Sequence, residues 1–426
     1  METPDIRTTP EWGYSPGSTL KKKNAKLPIS VDHTTTRSEV WLMRKPQDWG
    51  QPCPNPDCAH YRLINRGNMS AIATYLTQSG KRRIFRCGAC EKPFSETRDT
   101  VFFDLRTPEE KVIMALNMLL VKVALSDMGF VLGVTEATVL EWLRRAAQKA
   151  HEINAHLLRD LPVTQVQLDE MWNFIRRKHA QQAGPDGESS ELSADGRQWV
   201  GISCAPEFRL ILAAFVGPRT FESALQLIQM TAAVVLGVPC FFSDGFSCYL
   251  SALIEVYHTL QTFPRTGQPG RPKQPVKEPH PDLVYGQVVK KKHQGRLQAL
   301  VYRVRCGAKR FEALGLSIST SLLERLNLTL RQALAPLVRK SGSFCKDRTH
   351  MRRRVVLFQA FDNFARPHRS LRVPLSDPEL RALGLIQPKW RHQTPGMAAG
   401  LTDHVWTFRE LLTAKFEPVH NQSSSG

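Results

Sequence analysis

Four of the nine cysteines stand in two close pairs: Cys53 and Cys58 bracket "PNPD", and Cys87 and Cys90 bracket "GA". A structural zinc ion takes four tetrahedral thiolate or imidazole ligands, and tight pairs supply them two at a time from turns. The spacing suits a zinc ribbon, in which two hairpin knuckles close on one ion. His60 lies close enough to substitute for a ligand, but four sulfurs are expected. The run "GKRRIFRC" adds cations to that ribbon.

Three acids form a second set. Asp169 falls in the middle of "VQLDEMWNFI", Asp244 follows a short apolar run in "PCFFSDG", and Glu324 lies in "SLLERLNLTLR". A mid-strand carboxylate is costly unless it is paired or bound to a cation. Clustered carboxylates repel one another, and their hard oxygens suit Mg²⁺ or Mn²⁺. Two such ions about 4 Å apart activate water or a 3′-hydroxyl and stabilise the leaving oxygen in phosphodiester chemistry. Plainer roles exist: a structural ion pair for Asp169, a turn cap in "SDGFS" for Asp244, and a capping box with Ser321 for Glu324. Against the last, Glu324, Asn327 and Arg331 share a helix face opposite Leu322, Leu326 and Leu330, which suits a site holding metal and DNA phosphate together. Strand alternation puts Asp169 on a largely polar face with Gln167 and Asn173. Glu170 falls on the other face with Val166, Leu168, Trp172 and Phe174, so unless a bulge intervenes it is expected not to point at the same metal site as Asp169, and to need a partner, such as an arginine, or to support the site from behind its ligands.

These residues need elements to position them. The stretch "TPEEKVIMALNMLLVKVAL" predicts a helix with Thr107 as N-cap and Pro108 at the first helical position. "LSDMGFVLGVTEATVLEWLRRAAQKA" follows as a helix-turn-helix, with Gly133 in the turn and Thr135 capping the second helix. Thr138, Arg144, Arg145 and Lys149 are its outward DNA-binding candidates, beside the acidic Glu136 and Glu141. From residue 163 the order is strand, strand, strand, helix, strand, helix, strand, helix, that of a ribonuclease H-like domain. In that order an acid in the first strand lies beside one at the end of the fourth, and a third comes from the last helix.

The expected fold class is therefore multidomain α+β. Its parts are a basic flexible arm (1–45), a zinc ribbon (46–106), a helix-turn-helix (107–160), a ribonuclease H-like catalytic domain with a mixed sheet and flanking helices (161–375), and a C-terminal helical tail (376–426). A Pro-rich insertion, about 262–283, interrupts the catalytic domain.

The charge balance fits this reading. With 58 Lys+Arg against 39 Asp+Glu, the formal net charge is +19, which calls for a polyanionic partner. No apolar run approaches the ~18 residues of a membrane span, and "METPDIRTTPEWGYSPGS" has no signal-peptide core. A cytoplasmic, nucleoid-associated protein without membrane contact is expected, with nucleic acid as the polyanion.

Taken together, "VQLDEMWNFI", "SDGFSCY", "SLLERLNLTLR" and "AFDNFARPHRSL" resemble the bacterial insertion sequence 1 (IS-one) family of DDE transposases. The cysteine ribbon, the helix "LGVTEATVLEWL" and the tail "TPGMAAGLTDHVWTFRELL" are also similar to that family. The resemblance implies that Asp169, Asp244 and Glu324 are catalytic acids binding Mg²⁺, and that the four cysteines hold structural Zn²⁺. It makes Arg331 a DNA-contacting cation, and Arg325 and Asn327 further contacts. It implies a transposase that binds terminal inverted repeats as double-stranded DNA, as a homo-oligomer assembled on DNA, and performs cleavage and strand transfer. The Pro-rich stretch lengthens the gap between the second and third acids and leaves the pairing of the last strand open. The alternative is a DNA-binding regulator derived from an inactive transposase.

Overall fold

A computed structural model describes residues 49–176, 196–263, 273–294, 296–339, 341–382 and 389–417; the expected arm at 1–45 lies outside them. The first unit is a three-stranded antiparallel sheet, β1 (Met69–Thr77), β2 (Gly80–Cys87) and β3 (Pro93–Ser95). Its core is small: Met69, Phe85, Phe94 and three of the cysteines, with Trp49 against them.

Three helices follow, α1 (Glu109–Leu119), α2 (Leu125–Leu132) and α3 (Glu136–Leu157). The start of α1 differs from expectation. Pro108 occupies the cap position and Thr107 makes no cap; instead the Glu109 amide donates to Ser79 Oγ at 2.7 Å. A hydroxyl from the β1–β2 turn thus satisfies a helix-end donor that the local sequence leaves open. The α2–α3 turn forms as the sequence dictates. Gly133 takes φ 59°, a left-handed conformation that glycine adopts without penalty. A Cβ on Gly129 would lie 3.0 Å from the Val134 carbonyl oxygen, and Thr135 Oγ1 accepts the Thr138 amide at 3.2 Å.

The central sheet is built from β4 (Gln165–Ile175), β5 (Gly196–Ala205), β6 (Leu210–Gly217), β7 (Cys240–Ser243), β10 (Val284–His293) and β11 (Arg296–Cys306). Between them come α4 (Phe221–Ala232), α5 (Cys248–Val256), β8 (His258–Gln261) and β9 (Val276–Pro279). Spatial order is β11-β10-β7-β4-β5-β6. Strand β7 is parallel to both β4 and β10, and the other pairings are antiparallel. The fold is thus mixed α+β with a mixed sheet. The segment 262–283 is not wholly irregular: residues 264–272 lie outside the described residues, but β9 pairs antiparallel with β8. The pairing of the last strands is also settled, with β10 beside β7 and β11 at the edge.

Helix α6 (Ala308–Ala313) leads to α7 (Ser321–Ala333), which packs on β4, and α8 (Arg348–Ala360) packs on β6 and α3. Pro336 sits in a 3₁₀ turn just beyond α7, so it ends the helix rather than kinking it. Short pieces follow: β12 (Val373–Pro374), α9 (Asp377–Ala382), β13 (Trp390–Arg391), α10 (Pro395–Ala398) and α11 (Phe408–Thr413). One hydrophobic core takes in Trp142 of α3, Leu168 of β4, Phe241 of β7, Leu323 of α7, Phe358 of α8 and Leu411 of α11. The chain end therefore returns to the first helices, where the Val101 amide donates to the Leu412 carbonyl at 3.1 Å and Arg409 binds Glu109 and Glu110.

Candidate metal centres and nucleic-acid cleft

The four cysteines converge. Cys87 ends β2, Cys90 lies in the turn to β3, and Cys53 and Cys58 come from the preceding loop. Their sulfurs all lie within 4.8 Å of one another, with Cys53–Cys90 at 3.7 Å and Cys58–Cys87 at 3.8 Å. A tetrahedron with metal–sulfur bonds of about 2.3 Å has sulfur–sulfur edges of about 3.8 Å, so the set fits zinc. Asn68 Nδ2 donates to Cys87 Sγ at 3.2 Å and the His60 amide to Cys58 Sγ at 3.4 Å, the outer bonds that orient thiolate ligands. His60 is not one of the clustered ligands. The Lys92 amide draws the Cys90 thiol down to about 7, while burial pushes Cys53 up.

The acids gather where β7 ends. The β4–β7 register stops at Leu168 opposite Ser243, so Asp169 and Asp244 are the next residue on each parallel strand. Beyond that point, among the described residues, no strand pairs with that edge of β4 until Ile175, which bridges to Cys345. Carboxylate oxygens of Asp169, Glu170 and Asp244 lie within 4.8 Å of one another. This corrects the expectation for Glu170: alternation does send it to the opposite face, but with no strand alongside, acids from both faces reach round the same edge. Its predicted partner exists. Arg219 donates through Nε at 2.7 Å and Tyr249 OH donates at 3.0 Å.

Glu324 is not in that group of three. Its helix begins after Thr320, so Glu324 is not at the third helical position and no capping box with Ser321 forms. Its carboxylate binds Lys290 Nζ of β10. One turn on, Asn327 Nδ2 donates to Asp169 Oδ2 at 2.5 Å, and Asn327 Oδ1 is buried with no partner among the described residues. Asp169, Glu170, Lys290, Glu324, Asn327, Arg331 and Arg339 line one cleft of about 510 Å³. Sequence reasoning missed Lys290, Arg219, Tyr249 and Arg339, whose positions depend on strand register and loop paths with no local signature.

The charge state of the cleft fits a cation. Burial raises Asp169 to about 7, helped by Asp244 and Glu170; burial and Asp244 also raise Glu170. Because the folded value lies above the ordinary 3.8, ionising Asp169 destabilises the ion-free fold. That penalty is absent below pH 3.8, grows between there and 7, and is complete above 7. A divalent cation reverses it. Mn²⁺ is therefore expected to raise the melting temperature more at pH 8 than at pH 5.5, and Asp169→Asn should weaken that pH dependence in thermal melts, leaving the smaller part due to Glu170.

The helix-turn-helix candidates fare unevenly. Thr138 is half-buried, with its hydroxyl 2.9 Å from Thr135 Oγ1. Arg144 makes a two-pronged pair with Glu141 at 2.7 Å for each bond. Arg145 shares Glu141 and donates to the Phe103 carbonyl at 2.6 Å. Lys149, expected to face outward, is only 6% exposed and is bound to Glu152 at 2.7 Å. The correction has a tertiary cause: Pro52, Arg62 and Asp99 of the first unit and Lys415, Phe416 and Glu417 of the chain end line one pocket with Lys149, while Glu136 and Ala137 at the start of α3 stay exposed. Arg325 is exposed on α7, and Arg331 is half-buried in the cleft with its guanidinium value lowered by burial.

No known protein family matches the chain by sequence, and no curated protein does. Among solved structures it is similar to the "Mos1 transposase paired-end complex with left transposon end" at 13% identity and TM-score 0.14, over 34% of this chain and 56% of that one. It is also similar to the "Mos1 Strand Transfer Complex" at 14% identity and TM-score 0.13, over 32% and 52%. The chain thus spans about half the length of the solved chains it matches. Likeness of this size leaves the chemistry to be argued from this chain's own residues.

Proposed function

We propose that the protein is a transposase of the DDE type, similar to the IS-one family, that cleaves and joins DNA strands at the ends of its element. The observation that carries this reading is the placement of Asp169 and Asp244 side by side at the end of a parallel strand pair, with Glu324 across the same cleft. The strand order β10-β7-β4-β5-β6 supports the ribonuclease H-like reading of the sheet, and the Cys53, Cys58, Cys87 and Cys90 cluster supports the zinc ribbon. Mg²⁺ or Mn²⁺ held by the acids supplies activation of a hydroxyl nucleophile and stabilisation of the leaving oxygen.

The chain's own groups do the rest. Asn327 fixes the orientation of Asp169, and Arg219 and Tyr249 hold Glu170 so that two ionised acids do not face each other unbalanced. Lys290, Arg331 and Arg339 ring the cleft with cations suited to a phosphate backbone. Among the described residues no helix is long and apolar enough to cross a membrane.

The test is a reaction with purified protein, oligonucleotides carrying the element's terminal repeats, and Mn²⁺. Cleaved ends and a joined strand are expected. Binding without either product would support the regulator reading instead, and cut ends without joining would mark a nuclease.

A further inference from the structure

We infer that the sheet face leading away from the acids is a stacking platform for an unpaired nucleotide strand; this rests on the proposed function only in placing DNA at the adjoining cleft. Glu170, Trp172 and Phe174 alternate onto one face of β4. The register sets Gly201, Trp199 and Arg197 opposite them on β5, and opposed residues of an antiparallel pair share a face. The Trp172 and Phe174 rings lie 5.7 Å apart, and Phe174 lies 5.4 Å from Phe344, in the segment before α8. Trp172 and Phe344 are each 37% exposed, although large aromatic rings favour burial. Two exposed rings flanking the half-buried Phe174 make an apolar patch of the kind that marks a contact surface.

The row starts inside the proposed site. Arg219 binds Glu170 and also lies over the Trp199 ring, 4.9 Å from its centroid. A strand leaving the acids therefore meets a guanidinium and then the rings of Trp172, Phe174 and Phe344 in turn, with the exposed Arg197 beside Phe174. Bases stack on aromatic faces whatever their sequence, and guanidiniums take the phosphates. The two arginines and the net charge of +19 make a polyanion the fitting occupant, in place of an apolar peptide.

The platform can be read without catalysis. The full-length protein is mixed, in Ca²⁺, with a duplex carrying a single-stranded overhang that holds 2-aminopurine at successive positions. Quenching at overhang positions is expected for the wild type. The double variant Trp172→Ala/Phe344→Ala should bind the overhang about 5-fold or more weakly per ring lost, with blunt-duplex affinity unchanged. Trp172→Phe should retain most of the binding, which a merely structural role for Trp172 would not require. Absence of quenching, overhang binding by the double variant equal to wild type, or equal loss on blunt duplex would each overturn the inference. Quenching in a protein that joins no strands would sink the proposed reaction and leave the platform standing.

Discussion

Asp169→Asn and Asp244→Asn are each expected to lower strand cleavage and joining by about 10³-fold or more, while leaving affinity for the terminal repeats within a few-fold of wild type. The reason is geometric. These carboxylates occupy adjacent positions on parallel strands and share one group of oxygens within 4.8 Å, so loss of either charge removes a ligand that no neighbour replaces in kind. Removing a negative charge next to a DNA phosphate does not weaken binding, and that separates catalytic loss from loss of contact. Glu324→Gln gives the sharper reading of the third position. Glu324 and Asn327 lie one helical turn apart on one face, and the Lys290 ammonium binds the Glu324 carboxylate in the cleft that Asp169 also lines. A loss comparable to that of Asp169→Asn is expected. Full activity in Glu324→Gln, with inactivity in Glu170→Gln, would transfer the third position to Glu170.

The second large effect concerns the cysteines. Cys87→Ser/Cys90→Ser should release about one equivalent of zinc by metal analysis and abolish protection of the backbone over residues 69–95 in hydrogen exchange. The three-stranded unit has too small a core to hold itself, whereas zinc binding contributes about 10–16 kcal/mol to small zinc-bound units. Damage should spread to α1, because Ser79 caps its first amide and Arg82 pairs with Glu109 at 2.5 Å. The chain end should loosen as well, since Lys415 donates to Gln51 at 2.7 Å and to the Glu96 carbonyl at 3.2 Å. Unchanged zinc content or unchanged exchange in the double variant would count against the ribbon.

Local features of the site were legible in the sequence because they depend on short spacing. The cysteine pairs, the Thr135 cap and the Gly133 turn are fixed by neighbours within a few residues, and all appear in the structure as read. The strands around Asp169 and Asp244 were legible from apolar runs and turn residues, and so was the need of Glu170 for a partner. Thr107 was misread because its role is taken by Ser79, from the β1–β2 turn. Lys149 was misread because helical period alone cannot reveal that the chain end at Lys415 and Phe416 returns to that side of α3.

By itself, the sequence determined which residue types could do chemistry, their order along the chain, and the strand or helix each belongs to, since these follow from composition and period. Tertiary structure decided the rest. It ended β7 one residue before Asp244, opened the β4 edge, and so let Glu170 join Asp169 from the opposite face. It brought Arg219 and Tyr249 to Glu170 and Lys290 to Glu324, from elements far apart in the chain. Alternation is a property of a strand, but an edge is a property of a sheet, and only the assembled sheet shows where a neighbouring strand stops.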